Sequence, residues 1–277
     1  VLAHAHQGGA FEGPSSTLFA IDRALEHGAS AIELDVHASS DGVLVVCHDP
    51  DVDRTTDGRG AIASLTYEAL RRLDNAYYFV PGHDSVTDAR EDQYVYRGRV
   101  NEDPRFRIAS LEEVLERYPG VLLNLDIKQS APAVKPYEEL LAELLRRFGR
   151  RDDVIVASFS DDSLARFGAA APEIGVSYGT NDLTQFIQAV RQGKPVPRPR
   201  PNQVALQPPA RYAGVWLVDE ALVTAAHNCG LAVHVWTADD VADMEKLCDL
   251  GVDGIITNRP SELVRLLKDR GLLYARE

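Results

Sequence analysis

Short apolar runs alternate along this chain with longer stretches in which apolar residues return every three or four positions. The runs Leu2–His6, Ala31–Val36, Leu44–His48, Val121–Ile127, Val154–Phe159, Ile174–Tyr178, Val204–Leu206, Leu231–Thr237 and Gly254–Thr257 have the length of strands. The periodic stretches Ser16–His27, Leu65–Arg72, Ser110–Tyr118, Tyr137–Phe148, Ser160–Phe167, Leu183–Arg191, Asp219–Asn228, Asp239–Leu250 and Pro260–Arg270 predict helices. Local signals agree: Leu18, Ile21 and Leu25 share one helix face, Gly28 is placed to stop that helix, and Ser110 with Glu113 spells a capping box. Strand–helix alternation implies a parallel sheet. Its persistence to the C-terminus favours closure into a barrel. The link from Val36 to Val43 is shorter than the dozen or so residues of a crossover, so this part must be irregular or hairpin-like. Nine strands for an eight-fold barrel means either one extra ladder or one false strand.

Two regions break the pattern. Ala76–Arg107 is long and polar yet carries Tyr77, Tyr78, Phe79, Tyr94, Tyr96 and Phe106, which reads as an ordered insertion over one end of the barrel. Gly193–Pro201 is basic and proline-rich, a stiff surface link. The 277 residues, 45% of them hydrophobic, suffice for a full core and match a single barrel domain over residues 1–277, although length alone also allows two smaller domains. A net charge of −13 disfavours nucleic acid and anionic membranes as partners. It permits an anionic small molecule where a bound cation inverts the local field. No apolar stretch reaches membrane-span length. No signal peptide is recognisable, though a chain starting at Val1 is compatible with a leader removed. Cys47, Cys229 and Cys248 follow no metal or redox spacing and leave one bridge open. The expectation is a soluble protein, cytoplasmic in preference to secreted, of open oligomeric state.

The chemistry lies where polar residues occupy strand positions. Strands covered on both faces should be apolar. Here His4 and His6, then Glu33, Asp35 and His37, then Asn124, Asp126 and Lys128, then His234 and Trp236 recur with period two near strand C-termini, the end that carries the active site of a barrel. Glu33, Asp35 and Asp126 together would raise one another's pKa unless neutralised. One hard divalent cation, Mg2+ or Ca2+, resolves that conflict. Salt bridges to Lys128 or Arg54 are the competing explanation. His6 and His48 are the acid–base candidates. Gly8 and Gly9 would turn the chain tightly and expose N–H groups to phosphate. Trp236 suits either a pocket wall or the core. Cys47 packs behind the site, His27 and His227 are structural or superficial, His83 falls in the insertion, and one member of Asp53–Thr56 is suited to orienting His48 or its own loop.

The stretches AHQGG, PSST, GASAIELDVHASSDGVLVVCHDPDVDRTTDGRG, RIASLEEVL, LLNLDIK, VIVASF, VHVWT and GVDGIITNRP occur in order from about His6 to Leu267. In these the chain resembles the glycerophosphodiester phosphodiesterase family. The resemblance implies an irregular (β/α)8 TIM barrel with an insertion after the third strand. It implies metal-dependent hydrolysis of glycerophosphodiesters to an alcohol and sn-glycerol 3-phosphate, through a cyclic phosphate. It assigns catalysis to His6 and His48, metal binding to Glu33, Asp35 and Asp126 (the last usually a glutamate), and phosphate contact to Lys128. Two departures bear on substrate preference: Gln7 stands where the family has arginine, and Pro14–Thr17 lacks the usual glutamate and asparagine, with Glu12 nearby as a substitute carboxylate. A neutral Gln7 loses the bidentate grip on phosphate. The rival readings are a phospholipase D-like barrel acting on lysophospholipids and a non-catalytic barrel that binds glycerophosphodiesters. Nucleotide phosphoryl transfer is disfavoured by the lack of a GxxxxGK[ST] loop.

Overall fold

A computed structural model describes residues 1–129 and 131–274. Among these, eight parallel strands close into a barrel: β1 (Leu2–Ala5), β2 (Ala31–Ala38), β4 (Leu122–Ile127), β5 (Val154–Ala157), β6 (Gly175–Ser177), β7 (Gln203–Leu206), β10 (Ala232–Val235) and β11 (Gly254–Thr257). β1 pairs with both β2 and β11, which completes the circle. The ninth expected strand, β3 (Leu44–Val46), is genuine: it runs antiparallel to β2, with Val36 opposite Val46. The short Val36–Val43 link is thus part of a hairpin, one of the two forms its length allowed.

Alternate residues of each strand point outward onto helices. Ile32, Leu34 and Val36 of β2, Leu123, Leu125 and Ile127 of β4, and Val154 and Val156 of β5 form one core with α1 (Leu18–His27), α3 (Leu111–Arg117), α4 (Glu138–Arg147) and α5 (Asp161–Ala170). A second core joins Val233, Val235 and Ile255 to α7 (Glu220–Asn228), α8 (Val241–Asp249) and α9 (Pro260–Asp269). The short α2 (Tyr67–Leu70) and the longer α6 (Thr180–Arg191) complete the set. Caps fix several boundaries. Thr17 caps α1, whose predicted start at Ser16 is displaced because Ser16 sits at φ 58°. Thr66 caps α2, and Ser110 with Glu113 forms the expected box on α3.

Five of the nine strands end one or two residues before the sequence pattern does, leaving out His6, Cys47–His48, Ser158–Phe159, Tyr178 and Trp236–Thr237. Pairing there is fragmentary: Cys47 N still donates to Asp35 O, and Trp236 keeps a single bridge to Pro209. Between Leu70 and Arg107 the chain forms short 3-10 turns and a single bridge of Phe79 to Ser85, with Phe79 and Phe106 packed against Tyr96. One hairpin escaped prediction, β8 (Arg211–Tyr212) with β9 (Val215–Trp216), because its strands are only two residues long and mostly exposed, and its turn pairs Gly214 with Ala213, which sits at φ 49° where sequence would favour Asn, Asp or Gly. Cys47, Cys229 and Cys248 are all free thiols, and no described helix is long and apolar enough to cross a membrane.

Candidate active site

The inward face of the barrel is polar, for the reason period-two alternation gave: whatever is not packed on a helix points to the axis. In the β2–β4 register Glu33 lies opposite Asn124, and Asp35 opposite Asp126. Two carboxylates are therefore side by side on adjacent strands, with Glu33 one step deeper on the same face. All three are buried. Burial, reinforced by Asp35, pushes Glu33 well above the usual carboxylate range. Burial, with Asp35 adding to it and Lys128 opposing, raises Asp126 to about 6.

The cation among them is Lys128, whose Nζ is 3.1 Å from Asp35 Oδ1 and 3.6 Å from Asp126 Oδ2. Against burial, these carboxylates and Glu33 hold its pKa above the ordinary lysine value. The salt-bridge reading was thus right about Lys128; Arg54 takes no part in it and pairs with Asp49 and Asp84. Two oxygens, Asp35 Oδ2 and Asp126 Oδ1, are buried without a hydrogen-bond partner among the described residues. Their chemistry fits a hard divalent cation. Yet no three His, Cys, Asp or Glu side chains among those residues are grouped so as to hold a metal ion as they stand.

His6 follows β1 and His48 follows β3, and their rings face each other edge to face with centroids 6.2 Å apart. Each is oriented through Nδ1. His6 Nδ1 bonds to Asn258 Oδ1 at 2.7 Å, and Asn258 is anchored in turn by its Nδ2 donating to Asp239 at 2.8 Å. His48 Nδ1 bonds to Asp49 Oδ1 at 2.7 Å, and Asp49 accepts Arg54 Nε at 2.6 Å. Although burial works against it, hydrogen bonds from His48 and Arg54 hold Asp49 below the ordinary carboxylate range. Burial lowers His6 despite the raising influence of Asp35 and Asn258. His6 Nε2 lies 3.8 Å from Glu33 Oε2, and His48 Nε2 lies 3.3 Å from Lys128 Nζ. His37 supports from below, with Nε2 3.3 Å from the His48 carbonyl oxygen.

The residues expected to touch substrate divide in two. Gln7 is buried in a left-handed conformation (φ 52°), its backbone N–H donating to Glu33 Oε2 at 3.0 Å and its side-chain Nε2 3.4 Å from His6 Nε2. The N–H of Gly9 is not available to phosphate, since it donates to His6 O at 2.7 Å and closes the turn. Trp236 is half-buried at the rim, its Nε1 donating to Gln207 O, its ring 5.6 Å from exposed Phe159. Glu12 replaces no site carboxylate: it accepts Ser261 Oγ at 2.7 Å and Ser261 N at 3.1 Å at the start of α9. Cys47 is buried behind His48, as expected, and burial raises its thiol to about 12. Sequence reasoning passed over Asn258, Asp49 and Asp84. Asn258 and Asp49 lay inside quoted stretches, next to a strand end and to His48, but nothing in the sequence marks which side chains they meet.

A sequence model of the glycerophosphoryl diester phosphodiesterase family matches residues 6–262. The chain is 31% identical over 274 residues to the glycerophosphodiester phosphodiesterase of Caldanaerobacter subterraneus subsp. tengcongensis, covering 98% of this chain and 99% of that one. Its fold is similar to the glycerophosphoryl diester phosphodiesterase domain of an uncharacterized Mycobacterium tuberculosis protein, with a TM-score of 0.80, 23% identity, and coverage of 95% of this chain and 97% of that one. It is similar also to an Oleispira antarctica phosphodiesterase solved in complex with the product sn-glycerol-3-phosphate, with a TM-score of 0.70, 22% identity and 96% of each chain covered.

Proposed function

This chain belongs to the glycerophosphoryl diester phosphodiesterase family, and on that premise we propose that it hydrolyses glycerophosphodiesters to an alcohol and sn-glycerol 3-phosphate. The observation that carries this reading is the facing pair His6 and His48, 6.2 Å apart, beside three buried carboxylates. The product held by the Oleispira antarctica neighbour supports the same substrate class. Glu33, Asp35 and Asp126 would hold one divalent cation, Mg2+ or Ca2+, which would stabilise charge on the phosphoryl oxygens.

The rest of the work falls to side chains. One imidazole takes the proton of the glycerol 2-hydroxyl as that oxygen bonds to phosphorus; the other gives a proton to the departing alcohol oxygen as its bond breaks. Water then opens the cyclic phosphate with the two roles exchanged, so each ring ends as it began. Asn258 and Asp49 fix the tautomers by engaging Nδ1, which directs both Nε2 atoms to the substrate. Lys128 supplies a phosphate donor. Gln7 offers at most a neutral hydrogen bond, so the grip on phosphate rests on Lys128 and the cation. Trp236 and Phe159 form an aromatic wall for the rest of the substrate. The test is release of sn-glycerol 3-phosphate from glycerophosphocholine and glycerophosphoethanolamine with Mg2+ or Ca2+, repeated after chelation. Chelator-sensitive release is expected, and no release with either metal rejects these substrates. His6→Ala and His48→Ala should each fold and lose most turnover; near-normal rates in either sink the mechanism. A lysophospholipid substrate is the second reading, favoured by the exposed Phe159 at the rim, and lysophosphatidylcholine in the same assay separates the two.

A further inference from the structure

The aromatic 76–107 segment reaches both histidine-bearing loops. Its Gly82 N–H donates to Phe11 O in the loop that follows His6. Its Asp84 accepts Arg54 Nη1 at 2.6 Å in the loop that follows His48. Arg54 is thereby held between two carboxylates: Nε and Nη2 fork onto Asp49 at 2.6 and 3.2 Å, while Nη1 goes to Asp84. Asp49 then holds His48 Nδ1 at 2.7 Å.

Asp84 is itself fixed. Its Oδ1 accepts the Ser85 N–H at 2.7 Å, Ser85 bridges Phe79, and Val86 N donates to Tyr78 O at 2.9 Å. Phe79 is buried and stacks on Tyr96. A guanidinium has five donors in a rigid plane, so fixing one edge fixes the direction of the other. We infer that Asp84 is a positioning residue that sets the orientation of His48 through Arg54 and Asp49, making the 76–107 segment a brace for the acid–base pair. The kinetic part of this inference rests on the proposed hydrolysis; the geometric part does not.

Two measurements test it. In long-range 1H–15N spectra of the free protein, Asp84→Asn should shift the His48 ring nitrogens and leave those of His6 in place; unmoved His48 signals overturn the inference whatever the chain hydrolyses. In turnover, Asp84→Asn should lower kcat about tenfold, the low end for a residue that orients a reacting group indirectly, with KM changed less than about twofold. Asp84→Glu should restore most of that loss, and Asp84→Asn should add nothing in an Arg54→Gln background. Additive losses, or a loss carried by KM, overturn it. Should Asp84→Asn fail to fold, Asp84→Ser gives the same readouts. A wild-type chain that releases no sn-glycerol 3-phosphate defeats the proposed function, and the spectra then decide on Asp84 alone.

Discussion

Replacing Lys128 by methionine isolates the electrostatics of the site. Its ammonium is 3.1 Å from Asp35 and 3.6 Å from Asp126 and its side chain is 18% exposed. At an effective dielectric constant of about 20, each contact is worth roughly 5 kcal/mol in gross attraction, most of it offset by desolvation. Removing one partner of a buried pair leaves the other uncompensated and costs about 3–5 kcal/mol; the partial exposure of Lys128 puts the expectation near the lower end, about 3 kcal/mol. The pH dependence has a definite sign. Asp126 is raised to about 6 by burial, so the folded chain binds a proton that the unfolded chain has released between about pH 4 and 6, and stability falls as pH rises through that window. Without Lys128 the carboxylates are harder to ionise, so the deficit should be full at pH 8 and shrink towards pH 5. Urea denaturation with chelator present measures it. A deficit below about 1 kcal/mol at pH 8, or one independent of pH, would falsify this account of the site.

His4 and His234 lie against each other inside the barrel, ring centroids 4.8 Å apart and planes tilted by 48°, buried, with both His4 ring nitrogens lacking partners among the described residues. Burial lowers His4 and brings His234 to about 4. The unfolded chain takes up protons that the folded one refuses, so stability is full above about pH 6.5 and should drop by about 3 kcal/mol from His234 alone as pH falls towards 4. An acid titration of His234→Gln with undiminished slope would contradict this. Gly254→Ala places a Cβ 2.8 Å from His234 Cδ2 and 2.9 Å from His4 Nε2. A loss of about 1–3 kcal/mol is expected, and an unchanged urea midpoint would mean the rings move freely. Ser110→Ala removes the α3 cap, whose Oγ accepts the Glu113 N–H at 3.1 Å, and should lower stability by about 1 kcal/mol by the same measurement.

Much of this architecture could be read from periodicity because a barrel imposes the same rule on every strand. Residues such as Leu34 and Leu125 must be apolar against helices, which makes Glu33, Asp35 and Asp126 conspicuous as exceptions. The length of the link between β2 and β3 ruled out a crossover helix and left a hairpin or an irregular connection, of which the structure has the hairpin. What stayed hidden were contacts between distant loops. Asn258 meets His6 across almost the whole chain, and Asp84 meets Arg54 from an irregular segment without periodicity. Such partners are chosen by tertiary packing, and neither residue type nor neighbours in sequence reveal them. Lys128 was ambiguous for a different reason: the same ammonium satisfies carboxylates or phosphate, and sequence does not say which.

The antiparallel turn at residues 39–43 also governs the order in which the site can assemble. Glu33, Asp35 and His48 lie on one hairpin, so bringing them together closes only a short loop and costs little chain entropy. His6 and Asn258 come from the first and last strands of the circle and meet only when β1 docks on β11. One half of the site is therefore a local product, and the other requires a contact between the two ends of the chain. In a refolding experiment, return of turnover reports closure of the ring rather than collapse of the chain.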